Sequence, residues 1–250
     1  MCCFSRSVSL VADTNIFARA SRAGRQFLVY SMKLKAGEDV AMILPIPTPR
    51  ASAEDAVKFL NLEKYPDFFV EMDRGFPAPP PPRGAGGLGL GRPAGAALPV
   101  VEVGSFVASF VPAVKDFARL DEQFRLPAGV WDELPQYRDW GFAVFQLKAG
   151  EKKVHPMAFE FPRADRTQLF FPTVHIHDGK VHARAKFDHW LYAQRSANES
   201  MTGWTESPKT ATQFMTKLAA AQGIVAADDH VYRRRLDGVL KNGDTYVTTG

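Results

Sequence analysis

The chain has 250 residues, 46% of them hydrophobic and 23% charged, with a net charge of +4 and a pI near 9.1. That balance suits a soluble globular protein with a real core and excludes a disordered or collagen-like chain. No apolar run approaches the roughly 18–20 residues a membrane span needs, so no membrane partner is expected. The cations are scattered, apart from Arg233-Arg234-Arg235, so nucleic acid is not expected as a partner either.

The two cysteines stand together in Met1-Cys2-Cys3-Phe4. Polar residues Ser5, Arg6, Ser7 and Ser9 follow at once, so no apolar signal segment forms and a cytoplasmic, reduced protein is expected. Once Met1 is removed, Cys2 would carry a thiol and a free amine on one residue. Such a pair suits a nucleophile with its own base, or a metal ligand.

Extended segments are expected at Cys3–Val11 and Ile16–Arg19, joined by a turn at Asp13-Thr14-Asn15, then at Phe27–Leu34 and Val40–Leu44. Pro45-Ile46-Pro47-Thr48-Pro49 ends the last of these. Ser52 reads as the N-cap of a short helix through Asn61, and a second is expected around Asp67–Arg74. Residues 77–99 are more than half proline and glycine and read as a long flexible loop within one domain spanning 1–250. Gly84-Ala85-Gly86-Gly87-Leu88-Gly89 has G-x-G-x-x-G spacing, but proline flanks replace the strand and helix that a phosphate loop requires.

Beyond the loop, strands are expected at Val100–Val111, Trp140–Leu147, Met157–Phe161, Leu169–His177 and Val181–Tyr192. Helices are expected over Ala113–Phe124 and Thr210–Gln222 from their apolar spacing. Lys241-Asn242-Gly243-Asp244 reads as a turn. The expected fold class is α+β, with largely antiparallel sheet and a few helices packed on one side.

Asp178-Gly179 between alternating segments predicts a tight hairpin. Its register would set His175 opposite His182 and put His177 on the same face, so that three imidazoles could ligate a transition metal, copper, zinc or iron. Cys2 or Cys3 could add a thiolate, and an open position would permit redox or hydrolytic chemistry on a small-molecule substrate. Strand parity puts His189 on the core face. His155 and His230 receive no role.

The start also resembles N-terminal nucleophile hydrolases of the choloylglycine hydrolase and penicillin acylase group. The resemblance rests on Cys2, the turn at 13–15 and Ile16-Phe17-Ala18-Arg19. It implies Cys2 as catalytic nucleophile and Arg19 as a site residue. A looser pattern resembles an uncharacterised bacterial family: a CCF start, AMILPIPTP, His155-Pro156 and Phe170-Phe171-Pro172. A third reading makes the chain a non-catalytic binding or interaction protein, with the thiols incidental and the histidines solvated.

Overall fold

The computed structural model describes residues 3–76, 101–103, 106–127, 129–153, 155–195 and 201–248. Cys2 and the Pro/Gly stretch 77–99 lie outside the described residues.

In chain order the strands are β1 (Cys3–Phe4), β2 (Leu10–Ala20), β3 (Arg25–Ala36), β4 (Val40–Ile46), β5 (Lys58–Asn61), β6 (Val101–Val103), β7 (Phe106–Val111) and β8 (Gly141–Leu147). They continue with β9 (Gly150–Lys153), β10 (Met157–Pro162), β11 (Gln168–Phe171), β12 (Arg184–Gln194), β13 (Thr205–Thr210), β14 (His230–Lys241) and β15 (Thr245–Thr248). The α-helix among the described residues is α1, Phe68–Asp73; the other helical turns are short 3-10 pieces. None is long and apolar enough to cross a membrane.

Strand therefore dominates, and the α+β expectation is corrected. Apolar spacing misled it. Val114, Phe117, Leu120 and Phe124 do point inward, but from the 3-10 turns Val114–Arg119 and Glu122–Phe124. Such turns repeat every three residues, so they reproduce a helix-like i, i+3 pattern. Residues 210–222 likewise hold two 3-10 turns, Ala211–Gln213 and Leu218–Ala221. Ser52–Asn61 gives a turn and then β5. Only the helix at Asp67–Arg74 forms as expected.

A large sheet runs β13-β14-β12-β2-β3-β10-β5, with β9 also on β3. A second sheet runs β1-β4-β8-β7-β6, and β11 pairs β15 apart from both. One core lies between the two main sheets, where Leu28, Tyr30 and Phe159 meet Phe4, Met42 and Phe145. Each sheet is covered again on its other face. Phe68, Met72 and Ile224 pack over Phe17, Val29 and Tyr192 of the large sheet. Phe117, Val130 and Tyr137 pack over Ile43, Phe142 and Val144 of the smaller one. A strand buried on both faces needs apolar side chains throughout, and β4 reads VAMILPI, buried at every position. Pro45 sits in β4 past the end of β1, which pairs only with Ile43 and Met42, so no ladder donor is missed there.

The turn expected at residues 13–15 is instead an irregularity within β2. Its register against β3 shifts between Ala12 and Asn15, and Asp13 takes φ +51°. The chain does not reverse. β2 runs on and pairs in parallel with β12, from Thr14 opposite His189 to Arg19 opposite Gln194.

Candidate functional site

Before Thr14 and His189, β2 and β12 diverge and leave a crevice. Its walls are Leu10, Val11 and Ala12 on one side and Arg184, Lys186 and Asp188 on the other. His175, His177 and His182 reach it from the irregular connection between β11 and β12. That connection is the expected hairpin, and it does not form. β11 stops at Phe171 and pairs with β15, β12 starts at Arg184 and pairs with β14, and Ile176 bridges Cys3 instead. Asp178-Gly179 still bends the chain, with Gly179 at φ +74°, which glycine adopts without strain.

Two residues of the turn after β14 hold this connection in place. Asn242 accepts from the His175 amide at 2.7 Å, and its side-chain amide donates to the carbonyls of His175 and His182 at 2.9 Å each. Asp244 Oδ1 accepts from the Thr173 and Val174 amides at 2.9 and 3.1 Å, and its Oδ2 accepts from the Tyr137 hydroxyl at 2.5 Å. Burial raises the Asp244 carboxyl to about 6. These clamps were not among the residues expected at a site. The signal was present, because 241–244 reads as a turn, but nothing local says what the turn grips.

The His175 and His177 rings stack at 5.2 Å, as expected for residues two apart on one side of the chain. His189 also joins them, fully buried, with its ring 5.2 Å from His175 and Phe187 beside both. Burial is the largest cause in all three and holds their pKa values low: His175 to about 2, His177 to about 4, and His189 lower still. The imidazoles are therefore neutral. Nε2 of His175 and of His177 is buried without a hydrogen bond among the described residues. His182 departs from the group. It is exposed and its Nε2 lies 2.9 Å from Asp178 Oδ2.

The metal reading is corrected here. Among the described residues no group of three His, Cys, Asp or Glu side chains is placed to hold a metal ion. The expected trio of His175, His177 and His182 needed the hairpin, and without it His182 pairs with Asp178. Cys3 is buried in the apolar layer with Ile43, Val144 and Ile176, and its neighbour Phe4 touches the His177 ring edge-on at 5.7 Å. Cys2 lies outside the described residues.

Arg19, the other expected site residue, is far along β2 from the crevice. Its Nε donates to the Ile224 carbonyl at 2.7 Å and a terminal nitrogen to Gly223 at 2.5 Å, while the guanidinium lies over the Phe27 ring at 5.1 Å. It closes the segment that covers the large sheet. His155 stacks on Phe106 at 4.0 Å, and His230 Nδ1 lies 2.7 Å from the Ser207 carbonyl.

No family model and no curated protein matches the sequence. Solved structures do. The crystal structure of baculovirus P35 matches with a TM-score of 0.55 over 99% of each chain at 13% identity. A mutated baculovirus P35 after caspase cleavage matches at 0.49, with 14% identity over 96% of this chain and 98% of that one. P35 in its complex with caspase-8 matches at 0.47, with 13% identity over 95% and 96%. Neither the hydrolases nor the bacterial family that the sequence resembles is among these neighbours. Where the sequence suggests a small-molecule partner, the molecule held by P35 in that complex is a protein. At this identity the likeness establishes a shared fold, that of P35 from end to end of the described architecture.

Proposed function

We propose that this chain is a non-catalytic protein-binding protein whose target is a protease of the caspase class. The carrying observation is the correspondence of fold along 99% of both chains with P35, a protein found in complex with caspase-8 and, in a mutated form, after caspase cleavage. Among the side chains expected to do chemistry, Arg19 and the buried histidines fit a binding role. Arg19 is spent on backbone carbonyls, and the buried histidines are neutral and packed as rings. Such residues build a rigid scaffold rather than a reactive centre.

The test is direct. Active caspase-8 is mixed with the purified chain, and cleavage of a fluorogenic peptide is followed while the mixture is resolved by gel filtration and intact mass. Loss of most peptidase activity, with co-elution of the two proteins, is expected. Full protease activity and separate elution at micromolar concentrations would end the proposal.

A further inference from the structure

The dense cationic run of the sequence, Arg233-Arg234-Arg235, lies in β14, and the backbone beyond it is open on one side. The Asn242 amide donates to the Ala183 carbonyl at 3.0 Å, which marks 183 and 242 as a hydrogen-bonded pair of the antiparallel β12–β14 ladder. Such pairs alternate along the ladder. Ala185–Leu240, Phe187–Gly238 and His189–Leu236 are therefore bonded pairs, and the backbone groups of Arg235, Asp237, Val239 and Lys241 point the other way. On that side β13 meets β14 only at His230, Tyr232 and Arg233. Among the described residues no strand pairs with the outer edge of β14 from Arg234 to Lys241. One outward group is covered, since the Arg184 guanidinium donates to the Val239 carbonyl at 2.7 Å.

The outward positions share a face with alternate residues of β12. That face carries Arg233, Arg235 and Lys241 of β14 with Arg184 and Lys186 of β12, against Asp237 and Asp188. Arg233 pairs with Asp73 and Arg235 with Asp237, and both guanidinium groups lie over the Trp190 ring, at 4.3 and 5.1 Å. Lys186 and Lys241 are exposed and form no ion pair among the described residues. Val239, between them on that face, is 58% exposed. An open edge of this kind is a template for strand addition.

Charge decides the occupant. Antiparallel pairing with a second copy about Gly238 sets Arg235 opposite Lys241, and parallel pairing sets arginine beside arginine; like charges directly opposite destabilise a sheet. We propose that the edge Arg235–Lys241 receives an extended acidic segment of a protein partner as an added strand, its carboxylates alternating toward Lys186 and Lys241. This surface is separate from the caspase reading and stands or falls without it.

The probe is a fluorescein-labelled Glu-Val-Glu-Val-Glu-Val peptide followed by anisotropy at low salt. It is expected to bind, while a Lys-Val-Lys-Val-Lys-Val peptide does not. Lys186→Glu with Lys241→Glu, both at exposed positions, should weaken binding by about tenfold or more. A version of the acidic peptide N-methylated on alternate amides should lose binding, because its strand can no longer donate to the edge. Equal binding of the N-methylated peptide, equal binding of the lysine peptide, or an unchanged affinity in the double variant would each overturn the proposal. A dimer in sedimentation that the acidic peptide fails to dissociate would overturn it in favour of a second copy.

Discussion

Glu71 and Asp244 are both carboxylates drawn into the protein and held by hydrogen bonds, and their pKa values move in opposite directions. Glu71 accepts from the Tyr65 hydroxyl at 2.9 Å, the Thr216 hydroxyl at 2.7 Å and the Lys217 amide at 3.1 Å, with Arg74 at 3.8 Å. Burial works to raise its pKa, yet the hydrogen bonds together outweigh it and the group is held below the ordinary carboxylate value. At Asp244 the same contest goes to burial, and the carboxyl rises to about 6. Glu71 also draws on a fourth donor, the Thr216 amide, whereas Asp244 has three. At Glu71 these hydrogen bonds outweigh burial, whereas at Asp244, between Tyr137 and the backbone of Thr173 and Val174, burial is the larger cause. The balance of hydrogen bonds against burial therefore sets which way a carboxyl's pKa moves.

The sharpest way to break the comparison is Glu71→Ala. It strands Tyr65, Thr216 and the Lys217 amide at once, in the layer that fixes α1 to the segment after β13. Each unsatisfied buried group costs about 1–3 kcal/mol, and the loss should reach about 3–4 kcal/mol. Urea unfolding at pH 7 measures it. A loss within the error of the extrapolation would show that α1 is not held by this carboxylate.

The histidine crevice provides a second contrast, because its titration has the opposite sign to that of Asp244. His175 and His177 take folded values near 2 and 4, below the ordinary 6.5. Between 6.5 and those values the unfolded chain binds protons that the native one does not. Stability is thus fully present above pH 6.5 and is lost as pH falls through that window, by up to about 1.4 kcal/mol per pH unit for each group. His175→Phe should lessen the slope of the melting midpoint between pH 6.5 and 4.5, since an apolar ring packs against Phe187 without titrating. An unchanged slope would place the acid sensitivity elsewhere.

Those two regions also show what could be read from the residues. The side-by-side placement of His175 and His177 and the inward parity of His189 follow from local alternation and are seen in the structure. The position of His182 does not, because it depended on a hairpin. Asp178-Gly179 has the chemistry of a tight turn, but β12 finds its partners in β14 and in β2, far away in the chain. Glu71 lay inside a helix read correctly at Asp67–Arg74, and nothing there revealed Thr216 as its partner. The fold class failed for a related reason. Apolar residues three apart at Val114, Phe117 and Leu120 look like a helix stripe and are met by 3-10 turns pinned to Phe142 and Trp131. Local spacing reports which side chains are buried more faithfully than which backbone buries them.

A pair of amide replacements separates the two carboxylates most cleanly. With a folded value near 6 against 3.8 unfolded, Asp244 holds a proton in the native state that the unfolded chain has released. Its contribution is fully present below pH 3.8 and declines as pH rises through about 6, opposite to the histidines. Asp244→Asn imitates the protonated form, since Oδ1 still accepts from Thr173 and Val174 and the amide can donate to the Tyr137 oxygen. The variant should match the parent near pH 4 and exceed it by about 2–3 kcal/mol at pH 7. Glu71→Gln, replacing a carboxylate that is held charged, should instead be destabilising at pH 7. If both amides move stability in the same direction at pH 7, then the two pKa values are shifted the same way and the contrast between them fails.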